Sequence, residues 1–570
     1  MKAHRVLAVG VVLAGLLSMF GAPPRISAQE TAPQPQDQDL AQDQDQAQDP
    51  PGRVARLDYA SGSVSFQPGG QGDWVTAVVN RPLTTGDNLW SDKDSRADLQ
   101  MGSTSIRVNS ETSVTFLDLD DRATQVRLSM GSIIFRVRHL DDDDHFEIDT
   151  PNLAFVVQRP GEYRVDVNAD GTETDATVWH GRSEVTGGGA SYVVVAGQAA
   201  RFTGTDQLDH QINQIAENDD FDNWAFDRDQ REDSVESSNY ISTEMTGWED
   251  LDQYGKWSYV ADYGPVWAPA AVAPGWAPYR FGHWVWVAPW GWTWVGGEPW
   301  GFAPFHYGRW AFVGASWFWV PGPVVVRPVF APALVAFVGG GGFGVGIGFG
   351  AGVAWFPLGP REVFVPWYHT SRIYVNNVNI TNTRISASEV TRVYGSSTHI
   401  TYVNQHVANG VTAVSHDTFV NARAVNANLA HVDAKQLAEA PVARSIPVQP
   451  EKASVMGAGR PASVKPPAAV EKRPVVAVRT PSSQSASLAR SATNIPPGTP
   501  GRLAEGAGTS VPRPSTGEGG HPLVKQAPSV QENAQRQQSE QQKFNRWQQQ
   551  RPAPSRQRPA PPVRSEKHNK

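Results

Sequence analysis

Four consecutive aspartates followed by a histidine, Asp141 to His145, form the densest group of potential metal ligands in the chain. Carboxylate oxygens bind divalent cations such as Ca²⁺ and Mg²⁺, so this run could hold one of them. A solvated acidic loop between two strands has the same composition, and we expect that simpler structure. No histidine pair has the spacing of a zinc motif, and the sequence therefore predicts no metal site.

A second set of reactive side chains lies within residues 254–319, where Glu298 and Asp262 are the only acids. A glycosidase needs two carboxylates about 5–10 Å apart, and these two belong to different sequence repeats. His283 and His306 occupy neighbouring repeat positions and are expected to pack on aromatic rings or cap them. The chain also has no nucleophile elbow, no phosphate-binding loop and no cysteine, so we predict neither enzymatic activity nor a cofactor.

Tryptophan dominates the same stretch, because residues 254–319 hold 12 of the 20 tryptophans in the chain. An exposed pair of indole rings could stack on the apolar faces of sugar rings. Most of these side chains are expected to form a core, since each buries about 150–250 Å². Three of them fall in predicted turns and are the candidates for an exposed ligand platform: Trp276, Trp290 and Trp300.

A sequence repeat positions these tryptophans. The motif aromatic-Gly-polar-Trp occurs at residues 254–257, 281–284 and 307–310, with spacings of 27 and 26 residues. Each copy starts an alternating apolar run that reaches a glycine- or proline-containing turn and then returns. Because an isolated hairpin is only marginally stable, we predict three β-hairpins that share one aromatic core.

Short alternating runs with close turn signals extend from residue 54 to about residue 205 and predict a mainly β domain of sandwich or jelly-roll type. The order of motifs in this region resembles the FecR domain: Pro82–Leu89, Ser95–Leu99, Leu128–Ile133, Phe146–Pro151, Gly161–Val165, Val178–Val185 and Ala196–Gln198. The resemblance implies a β-sandwich located outside the cytoplasm. The best-known members of that family signal across the inner membrane to a sigma factor through a cytoplasmic segment and a membrane helix. This chain begins with a signal-peptide-like segment instead, so we carry over only the domain.

Residues 248–255, 299–310 and 356–368 resemble a domain of unknown function that often follows a FecR domain in exported bacterial proteins. The resemblance implies no activity. Within this Trp-rich module, residues 247–370, the segment 339–352 is rich in glycine, and from Gly342 to Gly352 glycine alternates with apolar residues. A packed extended segment fits that pattern best, with a disordered or a membrane-inserted segment as alternatives.

The remaining boundaries follow from changes in composition. Residues 1–28 have the order of a secretory signal peptide, and residues 29–52 predict a disordered Gln/Asp-rich linker. Residues 206–246 predict an acidic helical connector, in which Leu208, Ile212 and Ile215 give helical spacing. Its solvated face is expected to hold the following acids: Asp227, Asp229, Glu232, Asp233 and Glu236.

Two further segments follow the Trp-rich module. Residues 371–440 predict a small extension of strands and turns, in which Ser415 caps a short helix. Residues 441–570 predict a disordered basic tail rich in Pro and Gln, with one Gln-rich helix over 531–550.

Charge is unevenly spread along the chain. The net charge is −8, and residues 441–570 hold 20 Lys/Arg against 7 Asp/Glu, so the tail carries +13 and the remainder −21. A solvated tail explains this distribution, and the alternatives are attraction of the tail to an anionic surface or to the acidic body of the same chain.

These features together predict a non-enzymatic exported protein of the periplasm or cell envelope, or a secreted one, acting as a scaffold or interaction module. Two alternatives stay open: binding of peptidoglycan or exopolysaccharide through exposed tryptophans, and periplasmic sensing of the FecR type. The expected partner is an envelope protein or a cell-wall glycan and not a nucleic acid. The sequence leaves the oligomeric state open.

Overall fold

A computed structural model describes residues 49–325, 327–339, 352–395, 401–443, 446–493 and 520–528. The predicted signal peptide, most of the linker, the interior of the glycine-rich segment and the rest of the basic tail, including the predicted Gln-rich helix over 531–550, lie outside the described residues. Within these ranges the protein is mainly β, as the alternating sequence predicts. Among the described helices, none combines the length and the apolar character that a membrane span requires.

The first fifteen strands form one hydrogen-bonded network, here called the β domain. Apolar residues at alternate positions fill its interior, because every second side chain of a strand points to the same face. The strands are β1 Ala55–Ser61, β2 Val64–Gln67, β3 Val75–Thr76, β4 Pro82–Leu83, β5 Asn88–Ser91, β6 Arg96–Met101, β7 Thr104–Val108, β8 Thr112–Leu119, β9 Ala123–Val137, β10 His145–Asp149, β11 Ala154–Val167, β12 Glu173–Gly187, β13 Ala190–Val195, β14 Gln198–Thr203 and β15 Asp209–Gln214.

The three longest strands change neighbours halfway along their length. The first half of β9 pairs with β8 and β10, and its second half pairs with β7 and β11. A glycine lies at the change in each long strand: Gly131 in β9, Gly161 in β11 and Gly181 in β12. Strands that bend and pass between layers in this way form the corners of a sandwich. The predicted sandwich class is confirmed, and the three FecR-like motifs that contain these glycines mark its corners.

The connector prediction is wrong over its first part. Residues 209–214 form β15, which pairs with β14 and places Ile212 opposite Ala200. Helix α1 begins only at Asp220 and ends at Asp233. Asp219 caps its N-terminus by accepting from the amides of residues 221 and 222. Residues 209–214 therefore form a strand by pairing with the edge of β14, although their apolar residues have helical spacing.

The predicted solvated face of this helix also needs correction. Asp227, Asp233 and Glu236 are exposed, but Asp229 and Glu232 are buried. Arg107 of β7 holds both of them, with guanidinium nitrogens 3.0 Å from Asp229 and 2.9 Å from Glu232. These ion pairs fasten α1 to the β domain, since buried carboxylates need such partners.

The Trp-rich module, residues 247–370 and here called the Trp module, contains the three predicted hairpins. Strands β16 and β17 form the first, β18 and β19 the second, and β20 and β21 the third. The first and third hairpins join into one four-stranded sheet, and the second remains a separate two-stranded sheet. The elements are α2 Leu251–Tyr254, β16 Gly255–Val260, β17 Gly264–Pro269, β18 Gly282–Val287, β19 Gly291–Gly296, α3 Ala303–His306, β20 Arg309–Val313 and β21 Ser316–Val320.

The register of the hairpins explains the sequence repeat. In every hairpin the motif tryptophan lies directly opposite a second tryptophan on the returning strand: Trp257 with Trp267, Trp284 with Trp294 and Trp310 with Trp319. The motif glycine makes room for the same returning indole, because a Cβ atom there would overlap it: Gly255 with Trp267, Gly282 with Trp294 and Gly308 with Trp319. The repeat thus expresses a packing rule: the first strand has a glycine at the place where the tryptophan of the returning strand packs.

A second four-stranded sheet follows the hairpins, with β22 Val335–Val338 and β23 Gly352–Pro357 at its centre. The extension after residue 371 is largely helical, which corrects the prediction of strands and turns. Ser371 caps the first helix by accepting from the amide of Tyr374, and Ser415 caps a short helix as predicted. The elements are α4 Arg372–Ile380, α5 Ala387–Gly395, β24 Thr412–Ser415, α6 His416–Val420 and α7 Ala434–Glu439.

The tail is ordered over much of residues 446–493, contrary to its predicted disorder. It leaves the Trp module and runs across the β domain, where the amide of Thr76 donates to the carbonyl of Arg460 and that of Ala462 donates to the carbonyl of Trp74. Composition indicated disorder, but contacts to a distant domain supply the burial that the segment lacks by itself. Its elements are β25 Val442–Ala443, α8 Lys452–Met456, α9 Ala468–Glu471, β26 Val475–Ala477, α10 Ser483–Thr493 and β27 Val524–Gln526, with β26 and β27 paired in parallel.

Candidate functional site

An arginine of the Trp module pairs with two aspartates of the aspartate-rich loop. Arg327 donates to Asp144 Oδ1 at 3.1 Å and lies 3.0 Å from Asp141. This guanidinium engages two of the carboxylates that a cation would use, and no three His, Cys, Asp or Glu side chains of the described residues are arranged so that they could hold a metal ion. This agrees with the simpler interpretation of the loop.

The two histidines of the repeats are structural. His306 is fully buried between the rings of Phe302 and Phe330, at 4.5 and 4.7 Å, and its Nδ1 pairs with the Ala331 carbonyl at 2.8 Å. Burial lowers the pKa of His306 to about 3, despite that hydrogen bond, and burial with Arg81 nearby lowers the pKa of His283 to about 4. Both are neutral at physiological pH, and the predicted packing on rings is confirmed for His306.

The three tryptophans of the predicted platform do not form one exposed surface. Trp290 and Trp300 are buried, with 0% and 3% of their surface exposed, so their predicted exposure is wrong. Trp276 is half-buried and meets Trp300 and Trp310 at interplanar angles of 60° and 64°, which is tilted rather than coplanar. Nine of the twelve tryptophans in residues 254–319 are buried, as the core prediction requires: Trp267, Trp284, Trp290, Trp292, Trp294, Trp300, Trp310, Trp317 and Trp319.

Glu298 contacts Trp276, the one of the three platform candidates whose side chain is partly exposed. The Trp276 indole nitrogen donates to Glu298 Oε1 at 2.7 Å. Burial raises the pKa of Glu298 to about 7, and the hydrogen bond from Trp276 offsets part of that rise. Asp262 lies exposed in the turn between β16 and β17, so the two acids do not form a glycosidase pair.

Replacing Glu298 with glutamine is expected to stabilise the protein at pH 8.5 and to have no effect near pH 4.5. The folded-state pKa lies above the ordinary value of 4.5, so the carboxylate form is penalised in the folded protein. That penalty grows as pH rises from 4.5 to 7 and reaches at most about 3 kcal/mol. Thermal unfolding of both proteins across this range tests the expectation, and a pH-independent difference would contradict it.

A polar junction joins the β domain to the Trp module. Arg56 of β1 is 1% exposed, and its Nη2 donates to the carbonyl of Pro299 at 3.1 Å. Asn80 is fully buried beside it, accepts from Arg56 Nε at 2.9 Å, and donates to the carbonyls of Gly296 and Glu298 at 3.1 and 2.7 Å. The end of the second hairpin is therefore held through its main chain by two side chains of the β domain.

Carboxylates complete this junction. Arg56 Nη2 lies 2.5 Å from Asp250 and 3.1 Å from Asp58. Burial raises the pKa of Asp250 to about 7 although Arg56 lowers it. Sequence reasoning missed Arg56, because in β1 it alternates with Ala55 and Leu57 and so falls on the face expected to meet water.

Family models match two parts of the chain. The model described as FecR protein matches residues 87–184, within the β domain. The model described as a family of unknown function, DUF6600, matches residues 248–362, within the Trp module. No curated protein matches the chain.

Similar solved structures include two crystal structures of a "putative anti-sigma factor" from Parabacteroides distasonis ATCC 8503, at 1.65 and 2.50 Å resolution. They are 13% and 14% identical to this chain, each with a TM-score of 0.20. Each match covers 22% of this chain and 59% of the other, so the chain spans about three fifths of the length of these structures. The two family matches, in the order that the motifs predict, show that this is a FecR-domain protein in which a domain of unknown function, DUF6600, follows the FecR domain.

Proposed function

We propose that this chain is a non-catalytic interaction protein of the cell envelope, of the sensor type, whose FecR domain binds a protein partner while the Trp module serves as its rigid support. The FecR match supports the sensor role. The groups that could have done chemistry support the absence of catalysis, since Asp144, His306 and Glu298 are engaged in ion pairs, ring packing and a hydrogen bond.

The junction at Arg56 is the observation that carries this proposal. Arg56 and Asn80 hold three main-chain carbonyls of the Trp module, and Asp250 completes the contact. A partner that shifts β1 would therefore also shift the end of the second hairpin. Such a fixed junction suits a module that acts as a rigid support for the FecR domain.

Glycan binding is the second candidate, and Trp276 is the residue that favours it. A sugar platform needs a broad exposed aromatic face, whereas Trp276 is half-buried and tilted against its neighbours. We rank this function below protein binding. Contact of the basic tail with an anionic surface is compatible with either function.

Purified full-length protein, immobilised and incubated with solubilised envelope proteins of its source organism, is expected to retain a discrete envelope protein in near-stoichiometric amount. In parallel, the chain is expected to remain in solution when cell-wall sacculi are sedimented. Its tryptophan fluorescence is expected not to change on titration with wall and capsule glycans.

The outcomes separate the two candidates. Retention of a protein without sedimentation supports the proposed interaction role, and cross-linking then locates the contact on the FecR domain. Sedimentation with sacculi together with a fluorescence change, and no retained protein, would transfer the function to glycans. Retention of no protein by the folded chain would overturn the proposal.

A further inference from the structure

One face of the β domain is polar by sequence and yet buried. In β9 and β10 the apolar side chains at 126, 128, 146 and 148 enter the core. The residues between these apolar positions are polar, which is the pattern of a strand with one face exposed to water. We call them the polar face: Gln125, Arg127, Ser129, Glu147 and Asp149. Register places Gln125 beside Glu147 and Arg127 beside Asp149. Each of the five is at most 3% exposed.

The cover is the segment 468–480 of the same chain, which we call the strap. Arg127 donates to the carbonyls of Val470 and Glu471 at 3.2 and 2.5 Å. Gln125 donates to the carbonyl of Arg479 at 2.9 Å, and Glu147 accepts from the amide of Val478 at 2.6 Å. The amide of Val476 donates to the carbonyl of Thr150 at 2.9 Å.

These contacts use the main chain of the strap. Arg127 binds carbonyls at the end of helix α9, whereas the remaining contacts reach residues 476–479, in and just after β26. Because amides and carbonyls are common to every polypeptide, that second part of the face accepts an extended segment without requiring one full sequence. The side chains of two arginines in the strap add contacts of their own. Arg473 donates to the carbonyls of Ser129 and Ala169 at 2.8 and 2.7 Å, and Arg479 lies 3.3 Å from Asp118.

The strap does not satisfy the polar face completely. Four buried polar atoms of the face have no hydrogen-bond partner among the described residues: Gln125 Oε1, Arg127 Nε, Ser129 Oγ and Asp149 Oδ1. Burying such atoms without partners is costly. A segment that supplied those partners would make contacts that the strap lacks, which favours its exchange with the tethered strap.

We propose that the polar face is a binding site for an extended segment of a partner protein, and that the strap is its resident occupant, which the partner displaces. The partner segment has small β-branched or alanine side chains between two basic residues six positions apart, as Val475, Val476 and Ala477 lie between Arg473 and Arg479. This inference rests on the proposed protein-binding function and adds to it the site, the chemistry of the ligand and its regulation.

The test uses a labelled peptide with the sequence of residues 471–480 and fluorescence anisotropy. The full chain carrying Arg473→Ala and Arg479→Ala is expected to bind it about tenfold more tightly than the unmodified chain, whose tethered strap competes at high effective concentration. Adding Glu147→Gln to the double variant is expected to abolish that gain. A matched substitution on another strand of the β domain, Glu184→Gln, is expected to preserve it. A peptide with alanine at both arginine positions is the control for sequence and is expected not to bind.

A second measurement needs no variant. Amide hydrogen exchange in the unmodified chain is expected to be about tenfold faster at Val476 and Val478 than at Val165 in the centre of β11, because the strap opens without global unfolding. Equal exchange at these positions would overturn the inference, as would a folded double variant that binds the peptide no better than the unmodified chain. Either failure leaves the retention of an envelope partner untouched, so it is distinguishable from failure of the proposed function.

Discussion

Replacing Arg56 with methionine is expected to lower the free energy of unfolding by about 3–5 kcal/mol, the usual cost of removing one partner from a buried ion pair. Methionine retains most of the side-chain volume but leaves Asp250, Asn80 and the Pro299 carbonyl without their donor. Because these groups join the FecR domain to the Trp module, a single calorimetric transition is expected to separate into two.

The control is Arg122→Met, which removes an exposed arginine that pairs with Asp143 at 3.1 Å. Exposed pairs contribute about 0–1 kcal/mol, so its melting temperature is expected to stay close to that of the unmodified protein. Equal effects of the two substitutions, or a single transition in the Arg56 variant, would show that the junction does not couple the domains.

Alanine at Gly308 is expected to destabilise the Trp module by about 2–4 kcal/mol, through overpacking added to backbone strain. Its Cβ atom would overlap the Trp319 indole and lie 2.6 Å from the Val320 carbonyl oxygen, both fixed by the core. The backbone at Gly308 also has a φ of +69°, which side chains with a Cβ atom adopt at a cost.

Gly314 in the turn of the same hairpin provides a matched control. Its φ is +56°, similar to that of Gly308, but a Cβ atom there would meet nothing within 4 Å. Gly314→Ala therefore measures the strain alone, expected at about 1 kcal/mol. Denaturant unfolding followed by near-ultraviolet circular dichroism compares the two variants, and similar midpoints would refute the packing rule of the repeat.

The hairpins could be predicted from sequence because all of their determinants are local. Alternation, turn glycines and the spacing of the motif tryptophans lie within about 25 residues of one another. The corner glycines of the FecR domain were likewise present in its motifs, although their role at the points where strands change neighbours emerges only from the pairing.

Two kinds of contact that the sequence pattern does not show explain the errors: pairing with a neighbouring strand and packing against distant parts of the chain. Residues 209–214 became a strand because the edge of β14 was open, and Glu232 became buried because Arg107 lies beneath α1. Trp290 reads as a turn residue, but it is buried against the ring of Phe330, 5.1 Å away. Arg56 and Arg127 read as surface residues, since alternation cannot show what covers a face.

The position of the strap late in the chain also sets the order in which parts of the protein can fold and dock. Val478 is 331 residues from Glu147, and Val464, just before the strap, is 399 residues from Ser65, its hydrogen-bond partner. At about 5–20 residues per second, the ribosome needs on the order of 20–60 s to make the 331 residues that separate Glu147 from Val478. The β-sandwich can fold during that interval with its polar face still uncovered, so a newly made chain passes through an open form before the closed one exists.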